Sequence, residues 1–322
     1  MKNYDVIIIG GACAGLSSAI YTSRRELKTL VLTNDIGGQI STTTEVENYP
    51  GFLSIKGPEL AMKFKEQAEK SGAEIKFEKA LAISKVEDEY IIKTASEEYQ
   101  APVVILAFGL KQRTLGVPGE KELTGRGVAY CATCDGPLFR NKKVAVVGGG
   151  NSAFDATEYL SGLAEKVYLF VRRDVYRAED ILIEAVKAKA NVEIMDFTDI
   201  EEFVGQGKLA KVRIVNNQTL VKNEIELDGV FIEIGWQSMV NDITGLKDLI
   251  DVDEREYVVV DNQAKTSAEG IFAAGDVTNT PFKQAVISAG EGAKAAMNAA
   301  VYIQHKRGKE IGDQFSDRAK RK

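Results

Sequence analysis

Cysteine, histidine and long apolar runs are all scarce in this chain, and each scarcity removes a class of protein. Of 322 residues only three are cysteine, Cys13, Cys131 and Cys134, too few for the disulfide framework of a small secreted fold. The single histidine is His305. A zinc site takes about four ligands, and beyond the two closely spaced cysteines only Cys13 and His305 remain among the softer donors, so no metal is expected. No apolar run approaches the roughly 18 residues that suggest a membrane span, and the first five residues lead into a strand-like segment rather than a signal peptide. Nor is positive charge in excess: the net charge is −6 and the pI about 5.2, which disfavours nucleic acid and anionic lipid as partners. A cytoplasmic location is expected.

Glycine is abundant, at 29 residues, in a chain that is 44% hydrophobic and 27% charged. That balance fits a globular protein whose turns bring backbone close to something, and the length allows about two domains. The run YDVIII, residues 4–9, ends in GGACAG and is followed by a helical pattern and a second strand, TLVL. The same order returns at KKVAVVGGGNSAFDATEYLSGLAEKVYLFVRR. One glycine fingerprint often marks no more than a tight turn; two, each opening an apparent βαβ unit, point to an oxidoreductase that binds two dinucleotides. Between and after them the patterns predict a helix at GPELAMKFKEQAEKSG, a hairpin around Glu87 to Glu89, a buried strand at APVVILAFG, a helix at AEDILIEAVKAKA and strands at AKVRIVNN, NEIELDGVFIEIG and GIFAAGD. A helix from Pro281 to about His305 closes the fold, and the charged tail beyond it reads as a frayed end.

The second fingerprint is the more regular. Gly148 and Gly150 supply the turn and the close approach to a pyrophosphate, Ala153 the helix-packing position, and Asn151 and Ser152 stand at a helix N-terminus that can donate to phosphate oxygens. Where an acid for a ribose hydroxyl is expected, the chain has Arg172, Arg173 and Arg177, a set suited to a 2′-phosphate and therefore to NADPH. In the first fingerprint Gly10 and Gly15 are present but Ala12 holds the second glycine position, so one methyl group must be accommodated. Cys13 reads as a small apolar filler. Residues 131–136, CATCDG, could be a clamp, half a metal site or a redox couple. The spacing lets Cys131 and Cys134 meet across one helical turn whose N-terminus stabilises a thiolate, which supports the couple. Asp135 could protonate a departing thiolate if burial raised its pKa, or simply form a turn.

Over nearly its whole length the chain resembles the low-molecular-weight, bacterial-type thioredoxin reductases. GGQISTTTEVENYPGF is similar to their flavin-loop segment, GRGVAYCATCDG to their redox motif, VVGGGNSA with VRRDVYRAE to their NADPH site, and GIFAAGDV with KQAVISAGEGAKAA to their second flavin segment. Phe108, Val171 and Lys283 depart from the usual residues, and GWQSMVN lacks the usual proline. The resemblance implies an α/β fold of two Rossmann-like, three-layer dinucleotide-binding domains: an FAD domain from residues 1–115 and 246–322, and an inserted NADPH domain, 116–245, that carries the cysteines. It implies that Gly10, Ala12, Gly15, Thr33, Asn34, Gly38, Gln39, Asn48, Asp276, Lys283, Gln284 and Ala285 bind FAD, that Cys134 exchanges electrons with the flavin, that Cys131 attacks a partner disulfide, and that Asp135 is the acid. Thioredoxin or a thioredoxin-like protein would be the partner of a homodimer. The inserted domain would rotate on linkers near Gly116 to Gly119 and Gly235 to Gly245. Reduction of another disulfide carrier, dithiol oxidation and, in a different class, a flavin redox sensor without turnover are the alternatives; an oxidase has no use for a 2′-phosphate site.

Overall fold

The computed structural model describes residues 2–43 and 45–308. The charged tail beyond Gly308 lies outside the described residues. Among the described residues the chain divides into two compact units, the first within residues 1–41, 49–111 and 237–322, the second within residues 42–48 and 112–236. The divisions at 111/112 and 236/237 fall four and nine residues before those expected at 115/116 and 245/246.

In the first unit the strands Val6–Ile9, Thr29–Leu32, Val103–Leu106 and Ile271–Ala273 are buried at every residue, as strands covered on both faces must be. With Glu74–Lys76 they form a five-stranded parallel sheet in the order 271–273, 103–106, 6–9, 29–32, 74–76. Because side chains alternate, Ile7, Ile9, Leu30, Leu32, Val104 and Leu106 enter one core while Val6, Ile8, Val31, Val103 and Ile105 enter another. The first core includes Tyr90 and Tyr99 from a four-stranded layer of Lys2–Asn3, Glu98–Ala101, Glu89–Lys93 and Ala82–Val86. The second is closed by Leu16, Ala19 and Ile20 of helix Cys13–Arg24 and by Ala295, Ala296 and Ala299 of helix Ala285–Lys306. Those two helices approach closely because their facing residues are small: the Ser17 hydroxyl donates to the Ala289 carbonyl at 2.7 Å and the Ser18 hydroxyl to that of Gly292 at 2.9 Å.

The second unit repeats the plan. Its parallel sheet runs Val128–Ala129, Gly229–Ile232, Lys143–Val147, Lys166–Phe170, Val192–Met195. Val144 and Val146 face helices Asn151–Ser161 and Asp180–Lys187 through Phe154, Leu160 and Val186, while Ala145 and Val147 face the antiparallel layer Thr198–Gly205, Leu209–Asn216, Lys222–Glu226. Both sheets have the strand that precedes the glycine turn at the centre, so connections leave it in both directions. A crevice for ligands then opens beyond the carboxyl ends of the strands at that reversal.

Most expected elements are present, with three differences. The segment NEIELDGVFIEIG is two strands in different sheets, Lys222–Glu226 and Gly229–Ile232, because the chain leaves the first strand at Leu227 and bends at Asp228. The last helix begins at Ala285 rather than Pro281, after an extended Gln284 with φ −131° and ψ 147°. The crossings between units run through a two-stranded ribbon, Leu110–Gln112 with Trp236–Ser238. Residues 116–119, expected as a linker, lie inside the second unit and are tied there: the buried Glu120 carboxylate accepts the N–H groups of Leu115 at 3.0 Å and Gly116 at 2.7 Å and the Tyr130 hydroxyl at 2.8 Å. No helix among the described residues is long and apolar enough to cross a membrane.

Candidate active site

Each central strand ends in a turn that only small residues permit. Gly10 has φ +121° and Gly148 φ +151°, values that L side chains rarely adopt. A Cβ on Gly10 would strike the Ala107 carbonyl, and one on Gly148 the Glu233 carbonyl. Gly15 and Ala153 are buried at the helix-packing position; a Cβ on Gly15 would strike the Gly10 carbonyl. Ala12 and Gly150 are the N-caps of their helices with almost the same backbone, φ −105°, ψ −166° and φ −109°, ψ −178°. That extended conformation is open to any residue, so the alanine in the first fingerprint costs no backbone strain. In both units the loop after the second strand donates into the turn: Gly37 N–H to the Gly11 carbonyl at 2.9 Å, Arg177 N–H to that of Gly149 at 2.7 Å.

Around the first turn the structure gathers residues far apart in sequence. Thr33 is buried and its hydroxyl donates to the Asp35 carbonyl at 2.6 Å; Asn34 is exposed. Gly38 and Gln39 open a 3₁₀ turn, Gly38–Thr42, and the Gln39 side chain donates to the Leu110 carbonyl at 3.3 Å and the Asp276 carboxylate at 3.5 Å. Asp276 also accepts from the Ser288 hydroxyl at 3.0 Å; burial raises its carboxyl, against the pull of Ser288 and Lys283. Gly275 N–H donates to the Glu291 carboxylate at 2.8 Å. Gln284 and Ala285 form the entry to the last helix. Lys283 turns into its own loop, with Nζ donating to the Thr278 carbonyl at 2.6 Å and lying 5.0 Å from the Tyr257 ring centre; burial lowers its pKa. Asn48 lies in segment 42–48, which groups with the second unit. Gly11, Gly37, Ser288 and Glu291 escaped the sequence reading. The i, i+3 spacing of Ser288 and Glu291 on one helix face was the available signal, but only the chain's return brings that face to Gly275 and Asp276.

In the second unit the Asn151 side chain is committed to Glu179, accepting its N–H at 2.9 Å and donating to its carboxylate at 3.3 Å. What Asn151 offers a phosphate is therefore its backbone N–H, beside that of the exposed Ser152. Arg172, Arg173 and Arg177 are exposed, and among the described residues none of their guanidinium groups has a carboxylate partner. Buried Val171 packs towards Gly149, where a Cβ would lie 2.9 Å from its Cγ1.

Cys131 and Cys134 are joined in a disulfide with Cα atoms 5.3 Å apart. The helix that follows Cys131, Ala132–Asp135, is a single turn, so the stabilisation of a thiolate by a helix dipole, expected from the sequence, is reduced to that of a few N–H groups. Glu233, at the end of strand Gly229–Ile232, lies where the Ala132 N–H lowers its carboxyl pKa. Burial pushes the Glu233 carboxyl up to about 7, with the Ala132 N–H opposing and the Asp155 charge adding to the rise. Burial alone pushes half-buried Asp135 up to about 6. Two carboxyl groups that can hold a proton near neutral pH thus stand at the redox motif. Cys13 is a free, buried thiol at the start of the first helix, pushed up to about 12 by burial, which suits a packing residue.

Two glycine-turn units and a cysteine bridge are the parts of a known group of enzymes, and the comparison with known proteins decides the matter. The pattern of the pyridine nucleotide-disulphide oxidoreductases matches residues 4–299. The thioredoxin reductase of Bacillus subtilis is 41% identical over 94% of this chain and 96% of its own, and that of Treponema pallidum 43% over 94% and 97%. The chain belongs to the pyridine nucleotide-disulphide oxidoreductase family. Within that family it stands with the thioredoxin reductases: the crystal structure of the Streptococcus pyogenes enzyme superposes with a TM-score of 0.88 at 37% identity, over 94% of this chain and 99% of that one. Membership makes the protein a flavin- and nicotinamide dinucleotide-using oxidoreductase. Beside the Gly148 turn, an added Cβ at Gly150 would meet nothing within 4 Å, which leaves open space at the helix N-terminus and fits the close approach of such a group.

Proposed function

We propose that the protein is a thioredoxin reductase that uses NADPH and FAD and reduces thioredoxin or a thioredoxin-like protein through Cys131 and Cys134. The observation that carries the reading is the Cys131–Cys134 bridge in the same compact unit as the Gly148 turn and three exposed arginines that have no carboxylate partner among the described residues. The first unit would hold FAD through the Gly10 turn, Gln39, Asp276 and the start of the last helix. The second would hold NADPH, with Asn151 and Ser152 N–H groups on its pyrophosphate and Arg172, Arg173 and Arg177 on its 2′-phosphate. Bound together, the two groups supply a pair of electrons at a potential low enough to reduce a disulfide.

The chain's own residues do the rest. The electron pair enters at Cys134, the S–S bond breaks, and two protons complete the dithiol, one of them held ready by Asp135, whose burial keeps it protonated closer to neutral pH. The Cys131 thiolate attacks the partner's disulfide, a mixed disulfide forms and one partner sulfur leaves. Cys134 then attacks Cys131, re-forming the bridge and releasing the second sulfur as a dithiol product. A homodimer belongs to this reading through the family resemblance, and a cytoplasmic location through the composition of the chain.

The test is an anaerobic titration of the purified protein with NADPH or NADH, followed by addition of thioredoxin, on wild type and on Cys134→Ser. Flavin bleaching by NADPH in both proteins, with thioredoxin reduction only in the wild type, is expected. Thioredoxin reduction that survives in Cys134→Ser would remove the disulfide from the path. NADPH oxidation without any thioredoxin reduction would point to another carrier or to a redox sensor.

A further inference from the structure

Residues 217–221 join the strands Leu209–Asn216 and Lys222–Glu226 of the second unit's antiparallel layer. The turn is braced from within, since the Asn216 carbonyl oxygen Oδ1 accepts the N–H groups of Gln218 at 3.1 Å and Thr219 at 2.9 Å. It is also fastened outward by Asn217. The backbone N–H of Asn217 donates to the Phe197 carbonyl at 2.7 Å, and its side-chain amide donates to two acceptors, the Arg172 carbonyl at 3.1 Å and the Asp199 carboxylate at 2.9 Å. A single NH₂ group therefore holds the backbone of the first arginine after strand Lys166–Phe170 and occupies a carboxylate beside it. None of these partners belongs to the glycine turn or the redox motif.

We propose that Asn217 determines nucleotide specificity: by fixing the Arg172 backbone and engaging Asp199, it keeps the arginine cluster available to a 2′-phosphate. The inference rests on the NADPH reading above. Without the amide, the Asp199 carboxylate, held beside the Arg172 backbone through Asn217, loses a hydrogen bond that a guanidinium of the cluster would supply in its place. That pairing competes with a phosphate for the same donors. The Arg172 backbone also loses its tether, so the cluster must be ordered by the ligand at an entropic cost. Both effects act at the adenosine 2′-position and leave the rest of the nucleotide alone.

The decisive measurement is calorimetric binding of adenosine 2′,5′-bisphosphate and of 5′-AMP, which differ only in the 2′-phosphate, to the full-length protein. Wild type, Asn217→Ala and Asn217→Ala combined with Asp199→Asn are compared. Asn217→Ala should weaken the bisphosphate about tenfold while 5′-AMP changes less than about twofold, and the added Asp199→Asn should restore most of the loss. A wild type that prefers the bisphosphate, with the preference intact in Asn217→Ala, overturns the proposal alone, as does equal weakening of both ligands. A wild type without any preference overturns the NADPH reading and the proposal with it.

Discussion

Gly290 and Gly292 stand two residues apart in the last helix, and the structure predicts opposite outcomes for the same substitution. At Gly292 an added Cβ would lie 2.9 Å from the Ala14 carbonyl carbon and closer still to its oxygen, both backbone atoms of the first helix. At Gly290, which is exposed, it would meet nothing within 4 Å. Replacing glycine by alanine inside a helix gains about 1 kcal/mol of propensity, and Gly290→Ala should keep most of that. Gly292→Ala gains the same propensity but forces two packed helices apart, an overpacking cost of about 1–3 kcal/mol, so the balance is a loss of up to about 2 kcal/mol. For a unit of this size each kcal/mol moves Tm by about 2–4 °C. Gly290→Ala should therefore melt about 2–4 °C above wild type and Gly292→Ala as much as about 8 °C below it. The displaced helix carries Ser288, the partner of Asp276, so Gly292→Ala should also retain less flavin on purification. Differential scanning fluorimetry with flavin fluorescence released by heat reads both quantities. If Gly292→Ala melts at or above the temperature of Gly290→Ala, the close helix contact is not what docks the C-terminal segment onto the glycine turn.

The two fingerprint positions of the first unit should behave differently. Ala12→Gly should change flavin affinity by less than about threefold, because Ala12 already has a backbone open to L residues, whereas Gly15→Ala should abolish flavin retention by collision with the Gly10 carbonyl; equal affinities by fluorescence titration would refute this. Glu233 links stability to pH. Its folded carboxyl, raised from 4.5 to about 7, keeps a proton that the unfolded chain has lost, so the native state binds more protons in that window and stability falls as pH rises through it. Discounted for partial exposure, the loss is about 2 kcal/mol. Urea midpoints should show Glu233→Gln gaining on wild type between pH 5 and pH 8, and a difference that stays constant with pH would sink the assignment.

Much of the architecture was legible because its signals are local. A strand buried on both faces must be apolar throughout, a turn with φ near +121° at Gly10 must be glycine, and two cysteines three apart need no distant partner. The cofactor-facing residues were less legible. Thr33 and Lys283 occupy expected positions but direct their polar groups into their own loops, and Asn151 gives its side chain to Glu179. Glu233 sits about 100 residues after the cysteines, and no periodicity connects a strand end to a redox turn; strand pairing beside the central strand places it there.

By itself the sequence determined two glycine turns opening two βαβ units, the cysteine couple between them and the arginines after the second, since each depends on neighbouring residues and their steric or charge requirements. Tertiary structure alone decided which distant groups complete each site: the Ser288–Asp276 contact, the Glu233 carboxyl at Ala132 and the Asn217 tether on Arg172. Those contacts arise from sheet order and helix packing, which bring together segments whose separation along the chain carries no record of their distance in space. The same holds for the ordinary-looking Ala12, whose suitability depended on a backbone angle that residue type does not report.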